Sequence, residues 1–188
     1  SNEELLQWWI QRERESVSYT LFPDDGSISN NVPEALASYI SPRAELFCSL
    51  IRSVQLKAST LTSPGIYLRE VAVPLCSQFV DALHETSVDL RNRLIRNDNK
   101  PQQQQQSSTR YGEMVDSEKK RIVSNINEWI EIINGTQLAS EILLSSDRAV
   151  SSQSDHDLGR FGRSLERLVE VMIDEFASAF VETTLMEH

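Results

Sequence analysis

Apolar residues recur along most of this chain at alternating steps of three and four, the period of a helix with one buried face. The pattern is densest between Ser41 and Arg96. There Ala44, Phe47, Ile51, Val54, Ala58 and Leu61 make one stripe, and Leu68, Val71, Leu75, Phe79 and Leu83 make a second. Only Leu61 to Ser63 separates the two, and a link that short folds two helices back on each other as an antiparallel pair. Ser41-Pro42 and Ser63-Pro64 mark the starts. Each sets a capping hydroxyl before a proline at the first helical position, where the missing N–H costs nothing. Pro74 falls inside the second helix, where it deprives the Glu70 carbonyl of its partner at a cost of about 3 kcal/mol or forces a kink. Because the stripe continues in phase to Leu90 and Leu94, one kinked helix to Arg96 is expected, with a break into two helices as the alternative.

The remaining segments extend that pair. Asn2 to Tyr19 reads as a helix, opened by the capping-box spacing of Ser1 and Glu4, with Leu5, Leu6, Trp8, Trp9 and Ile10 packed into two turns. Successive helical positions point about 100° apart, so Trp8 and Trp9 cannot share a face; if one enters the core, the other sits at the rim. Phe22 to Gly26 is a turn, the polar run to Asn31 a loop, and Pro33 to Tyr39 a short helix. Asn97 to Ser117, which contains the unbroken tract Gln102 to Gln106, is expected to be a mobile inserted loop.

Two long helices complete the chain. Glu118 to Leu144 carries Ile122, Ile126, Trp129, Ile130 and Ile133, then Leu138, Ile142 and Leu143. The helical spacing on both sides of Asn134-Gly135 outweighs the hairpin signal of that dipeptide, and Gly135 is expected to admit a neighbouring helix at close range. Asn134-Gly135-Thr136 also spells a glycosylation acceptor, which matters only in a secreted surface loop. After a polar connection from Ser145 to Asp157, the last helix spans Leu158 to Leu185, with Leu158, Phe161, Leu165, Leu168, Met172, Phe176 and Phe180 in step and Val169 and Ile173 widening the stripe. The expected fold is all-α, an antiparallel bundle of about six helices forming a single unit over residues 1–188.

Composition narrows the function classes. A length of 188 residues is enough to bury a real core without staples. The formal net charge of −10 argues against nucleic-acid binding, which relies on clustered Lys and Arg. Cys48 and Cys76 lie on apolar helical faces and read as buried, reduced thiols. No apolar run approaches the roughly 20 residues of a membrane span, and no signal peptide opens the sequence. The chain begins Ser-Asn-Glu without an initiator Met and stops directly after an apolar helix at His188, so a piece of a longer polypeptide is expected.

A search for chemistry finds little. His84, His156 and His188 are scattered, and the run Asp155-His156-Asp157 lacks the second cluster that a zinc site needs. Gly159-Arg160-Phe161-Gly162 has neither the preceding strand nor the Lys-Ser/Thr ending of a phosphate loop and reads as a helix start. No nucleophile elbow accompanies the serines. Arg91, Arg93 and Arg96, like Lys119, Lys120 and Arg121, are interleaved with acids and read as solvated helix ends. No catalytic, cofactor or metal residues are therefore assigned, and the candidate protein-contact residues are Trp8 and Trp9.

Three blocks have a familiar character: RAELFCSLIRSVQLKASTL followed by YLREVAVPLCSQFVDAL, then EWIEIINGTQLASEILL, then LGRFGRSLERLVEVMIDEFASAFVE. In order and in residues such as Phe47, Leu75, Phe79, Asn134 and Leu165 they resemble the RINT/TIP subunit family of the Dsl or NRZ complex, which captures Golgi-derived vesicles at the endoplasmic reticulum. The resemblance implies a segment of a long rod of stacked helical bundles. It also implies a non-enzymatic scaffold, cytoplasmic and peripheral to the endoplasmic reticulum, whose partners are other tether subunits and SNAREs and which needs no cofactor. Exocyst and Golgi tether subunits share the architecture, and a helical module acting on a small GTPase is the alternative reading.

Overall fold

A computed structural model describes residues 2–24, 40–95, 108–149 and 156–185, and these are helical throughout apart from short turns, with no strand among them. The elements are α1 (Asn2–Leu21), α2 (Pro42–Ser59), α3 (Pro64–Tyr67), a π-helical turn (Leu68–Ala72), α4 (Val73–Ile95), α5 (Ser108–Ala149) and α6 (His156–Leu185). The expected helix at Pro33 to Tyr39 and the glutamine tract lie outside the described residues.

The α2 start forms as its sequence dictates. Ser41 is extended, and its hydroxyl accepts the Ala44 N–H at 3.4 Å, just before Pro42 opens the helix. Ser63 precedes Pro64 in the same way, yet its side chain makes no capping bond. Between Pro64 and Ile95 the chain stays helical without interruption, so Pro74 does not break it in two. The turn in front of the proline is widened instead. The Val73 N–H reaches back five residues to the Leu68 carbonyl, and this π turn relieves the crowding that the proline ring would meet in the preceding α-turn.

Pairwise contacts give the packing directions. Glu13 pairs with Lys57, and the Arg43 guanidinium covers Phe22, so α1 and α2 run antiparallel. Trp9 stacks on Tyr67 while the Ser18 hydroxyl bonds Gln78 at 2.8 Å, so α1 runs alongside the Pro64 to Ile95 segment in the same direction. Phe47 of α2 and Phe79 of α4 stack face to face with nearly parallel planes, ring centres 3.9 Å apart, within the core. On the other side α5 and α6 form the most extensive helix pair. The Trp129 indole N–H donates to the Met172 carbonyl at 3.2 Å and the Ser140 hydroxyl to the Gly162 carbonyl at 3.0 Å, an antiparallel register.

The two sides join through α2 and α4. Gly135 of α5 faces α2 so closely that a β-carbon there would stand 2.5 Å from the Ala44 β-carbon. That proximity lets the Ser41 backbone N–H donate to the Glu131 carbonyl at 3.1 Å. The expected close approach at Gly135 is therefore present, and its partner is the first turn of α2. At the far end the two terminal guanidinium nitrogens of Arg93 donate to the Glu128 carboxylate at 2.8 and 2.9 Å, and Arg91 reaches Glu175 at 3.4 Å, tying α4 to α5 and α6.

Several expected boundaries move. α5 starts at Ser108, ten positions before the expected start at Glu118, so residues 108–117 are helical rather than part of the inserted loop; it also continues to Ala149, into the expected polar connection. Tyr111, Met114 and Val115 already carry helical spacing, and no proline lies between Ser108 and Ala149, so elongation adds one hydrogen bond per residue in both directions. α6 begins at His156, which places Gly159 to Gly162 inside the helix. Ile130 and Ile173, assigned to buried stripes, are 42% and 48% exposed, while Ile132 is buried. The α5 stripe is thus rotated toward α2 and α4, because α5 serves neighbours on two sides.

Candidate functional site

The two tryptophans separate as their spacing requires. Trp9 continues the inward line of Ile10, Val17 and Leu21, and its ring stacks on Tyr67 at 5.3 Å between centres. Trp8 faces out and is 60% exposed, with the Arg12 guanidinium one turn on, 5.5 Å from the centre of its ring. That is a cation–π arrangement. Leu5, one turn earlier on the same outer line, is 67% exposed, and Leu6 beside it is also open. Leu56 and Ile66 are exposed too. Each adjoins a residue that contacts α1: Leu56 precedes Lys57, which pairs with Glu13, and Ile66 precedes Tyr67. The outer line of α1 therefore presents Leu5, Leu6 and Trp8 to solvent, and Leu56 and Ile66 are open on the segments packed against α1.

Behind this surface the helices are pinned. The Tyr67 hydroxyl donates to the Glu13 carboxylate at 3.4 Å, and the Lys57 ammonium meets the same oxygen. Burial pushes the Tyr67 phenol well above its ordinary value, and the neighbouring Glu13 charge and hydrogen bond add to that shift. The phenol stays a proton donor, so α1 is held in fixed register and presents a preorganised platform. Such a platform carries no reactive group. What it offers is apolar area, one aromatic anchor and one cation, the composition of a protein-contact surface.

Two clefts lie elsewhere among the described residues. The first, about 390 Å³, lies between the start of α2, the middle of α4 and α5, and has Arg43, Thr86, Glu128 and Glu131 among its walls. Burial, and then the nearby Glu128 charge, raise the Glu131 carboxyl above its usual range. Glu128 itself is held by Arg93, the Thr86 hydroxyl donates to the Ala82 carbonyl and the Ser41 hydroxyl accepts the Ala44 N–H. The second, about 560 Å³, is an open groove along α5 and α6 bordered by Gln137, Glu141, Arg163, Glu166, Arg167 and Glu170.

Elsewhere the thiols of Cys48 and Cys76 are free and buried. Burial raises the Cys48 thiol to about 12 and pushes Cys76 up as well, so neither is a nucleophile near neutrality. Among the described residues no group of three or more His, Cys, Asp or Glu is placed to hold a metal, and no helix is long and apolar enough to cross a membrane. The Glu128/Glu131 pair and the charged line on α6 were not singled out in the sequence. A spacing of three between like charges was the available signal. The chain matches no protein-family profile, no curated protein and no solved structure.

Proposed function

We propose that this chain is a non-enzymatic scaffold, an antiparallel bundle of about six helices forming one segment of a helical-rod vesicle tether. Its resemblance to the RINT/TIP family points to traffic from the Golgi back to the endoplasmic reticulum, with tether subunits and endoplasmic reticulum SNAREs as partners and peripheral association with that membrane. In this reading the rod spans a gap between membranes and brings SNAREs within reach of one another. Stiffness and contact surfaces carry the function, and no bond is made or broken.

The observation that supports the reading is the exposed apolar line of α1 around Trp8. Large exposed apolar side chains on a helix pinned from behind are what a binding hot spot consists of, and truncating such an anchor typically costs about 2 kcal/mol or more. Capture of the Dsl or NRZ subunits and of endoplasmic reticulum SNAREs by the full-length protein tests it. Wild-type protein is expected to retain them, and Trp8→Ala to lose about tenfold or more in affinity. A blank capture by wild type, or full retention by Trp8→Ala, refutes the assignment.

A further inference from the structure

The α5–α6 pair has two sides, and α4 closes one of them. There α4 packs against both helices, with its Arg93 on Glu128 of α5 and its Arg91 on Glu175 of α6. Ile130 and Ile173 lie two positions from those carboxylates, about 160° round their helices, so they face the other way. They are 42% and 48% exposed. Each belongs to an apolar line: Ile126, Ile130 and Ile133 follow at steps of four and three on α5, and Val169, Ile173 and Phe176 do the same on α6. The antiparallel register that brings Trp129 to Met172 and Ser140 to Gly162 sets Ile126 level with Phe176 and Ile133 level with Val169. Ile133, Val169 and Phe176 rest partly on the core and make an apolar floor. The α5 line continues through Gln137 to Glu141, and these border the same open groove as Glu166, Val169 and Glu170 of α6.

At that end the groove is edged by acids. Glu166 lies about 60° from Val169 round α6, at the rim, whereas Arg163 and Arg167 lie about 120° and 160° away and border the groove from the outer surface. Among the described residues Glu166 and Glu170 take part in no ion pair. The open side thus repeats the make-up of the closed one, an apolar floor with carboxylates from both helices at its edge. What closes the other side is an amphipathic helix, α4, which buries Leu83 and Leu90 and brings two arginines to those carboxylates. We infer that the open groove takes a helix of the same kind from a partner protein, apolar on one face and carrying lysine or arginine beside it to meet Glu166 and Glu170. The net charge of −10 favours a basic partner over an acidic one, and over a second copy of this chain. From Ile126 to Glu141 the groove runs about 22 Å, the length of a helix of about 15 residues.

Fluorescence anisotropy with two labelled peptides tests this inference without any tether subunit. Both peptides have about 15 residues and a leucine face; one carries lysines on its polar face and the other glutamates. The full chain is expected to bind the lysine peptide and not the glutamate peptide. Ile130→Asp/Ile173→Asp should weaken that binding about tenfold or more, because the apolar floor is lost. Glu166→Lys/Glu170→Lys should weaken it about as much and should bind the glutamate peptide instead, which also reports that this variant is folded. Asp81→Lys/Glu85→Lys, at exposed positions of α4, makes the same change in net charge and should stay within about twofold of wild type. Failure to bind the lysine peptide, equal binding of both peptides, undiminished binding by Ile130→Asp/Ile173→Asp, or equal losses from the α4 and α6 charge variants overturns the inference. So does sedimentation in which wild type dimerises and Ile130→Asp/Ile173→Asp does not, since a second copy would then be the occupant.

Discussion

Gly135 and Gly162 both sit where one helix passes close to another, yet a methyl group added at each would meet a different obstacle. At Gly135 it would stand 2.5 Å from the Ala44 β-carbon and 3.2 Å from the Ile40 side chain, against the first turn of α2. A β-carbon is fixed to its backbone, so the helix itself must shift. At Gly162 the nearest atoms are Cγ and Cδ2 of Leu144, at 2.8 and 3.0 Å, which rotate about the side chain's own bonds, while the fixed β-carbon of Leu143 stands farther off at 3.3 Å. The α2–α5 crossing is therefore set by backbone against backbone, whereas the α5–α6 seam is set by side chains that fill the space between the helices. Trp129 shows the second kind of contact: it is buried, tilts against Phe176 at 5.7 Å and bonds the Met172 carbonyl.

The largest test of that contrast removes the filler. Trp129→Ala empties the α5–α6 seam and should lower unfolding free energy in urea by about 3–5 kcal/mol, the usual range for a buried aromatic. A loss below about 2 kcal/mol would mean that α6 collapses into the space and that the seam does not depend on this ring. The next effect comes from the glycines themselves. Gly135→Ala should destabilise by about 1–3 kcal/mol through overpacking, only partly offset by the roughly 1 kcal/mol that alanine adds to helix propensity. Gly162→Ala should stay within about 0.5 kcal/mol of wild type, since Leu144 can turn aside while the same propensity gain applies. Equal effects at the two glycines would erase the distinction.

The smallest effect near neutral pH is alkaline, and it belongs to one side only. Cys48 lies on α2 and Cys76 on α4, whereas α5 and α6 have no cysteine. The folded state holds the Cys48 proton up to about 12, while the unfolded chain releases it near the ordinary 9.0. Unfolding therefore releases protons once pH passes that lower value. Stability is full below it and falls as pH rises toward the upper one, by at most about 1.4 kcal/mol per pH unit for each such thiol. Urea titrations at pH 8 and pH 10 measure the loss, and a thiol reagent should label neither cysteine in the folded protein at pH 8. Rapid labelling there would show that the α2–α4 layer opens on its own, contrary to its close packing.

Much of the fold was legible because helix periodicity is local. The Phe47 and Phe79 stripes, the Ser41-Pro42 start and the uninterrupted run across Pro74 all follow from residues within a few turns of each other. The separation of Trp8 from Trp9 was legible for the same reason, since neighbouring positions cannot share a face. Hidden at the candidate site was the support behind it: Glu13, Lys57 and Tyr67 come from three separate segments and share no local signal. Ile130 and Ile173 were misplaced because a stripe wider than one neighbour requires does not say which edge will be covered.

By itself, then, the chain determined that most of its described segments would be helical, which face of α2 and α4 would turn inward, and where Pro42 and Pro64 would open a helix. Tertiary structure decided the rest. It chose the rotation of α5 between two neighbours, inserted a π turn ahead of Pro74, and left Trp8 uncovered while Trp9 found Tyr67. The physical reason is one of range. Backbone hydrogen bonds and the three-and-four spacing act within a turn or two, whereas burial of a particular edge depends on where a distant helix comes to rest.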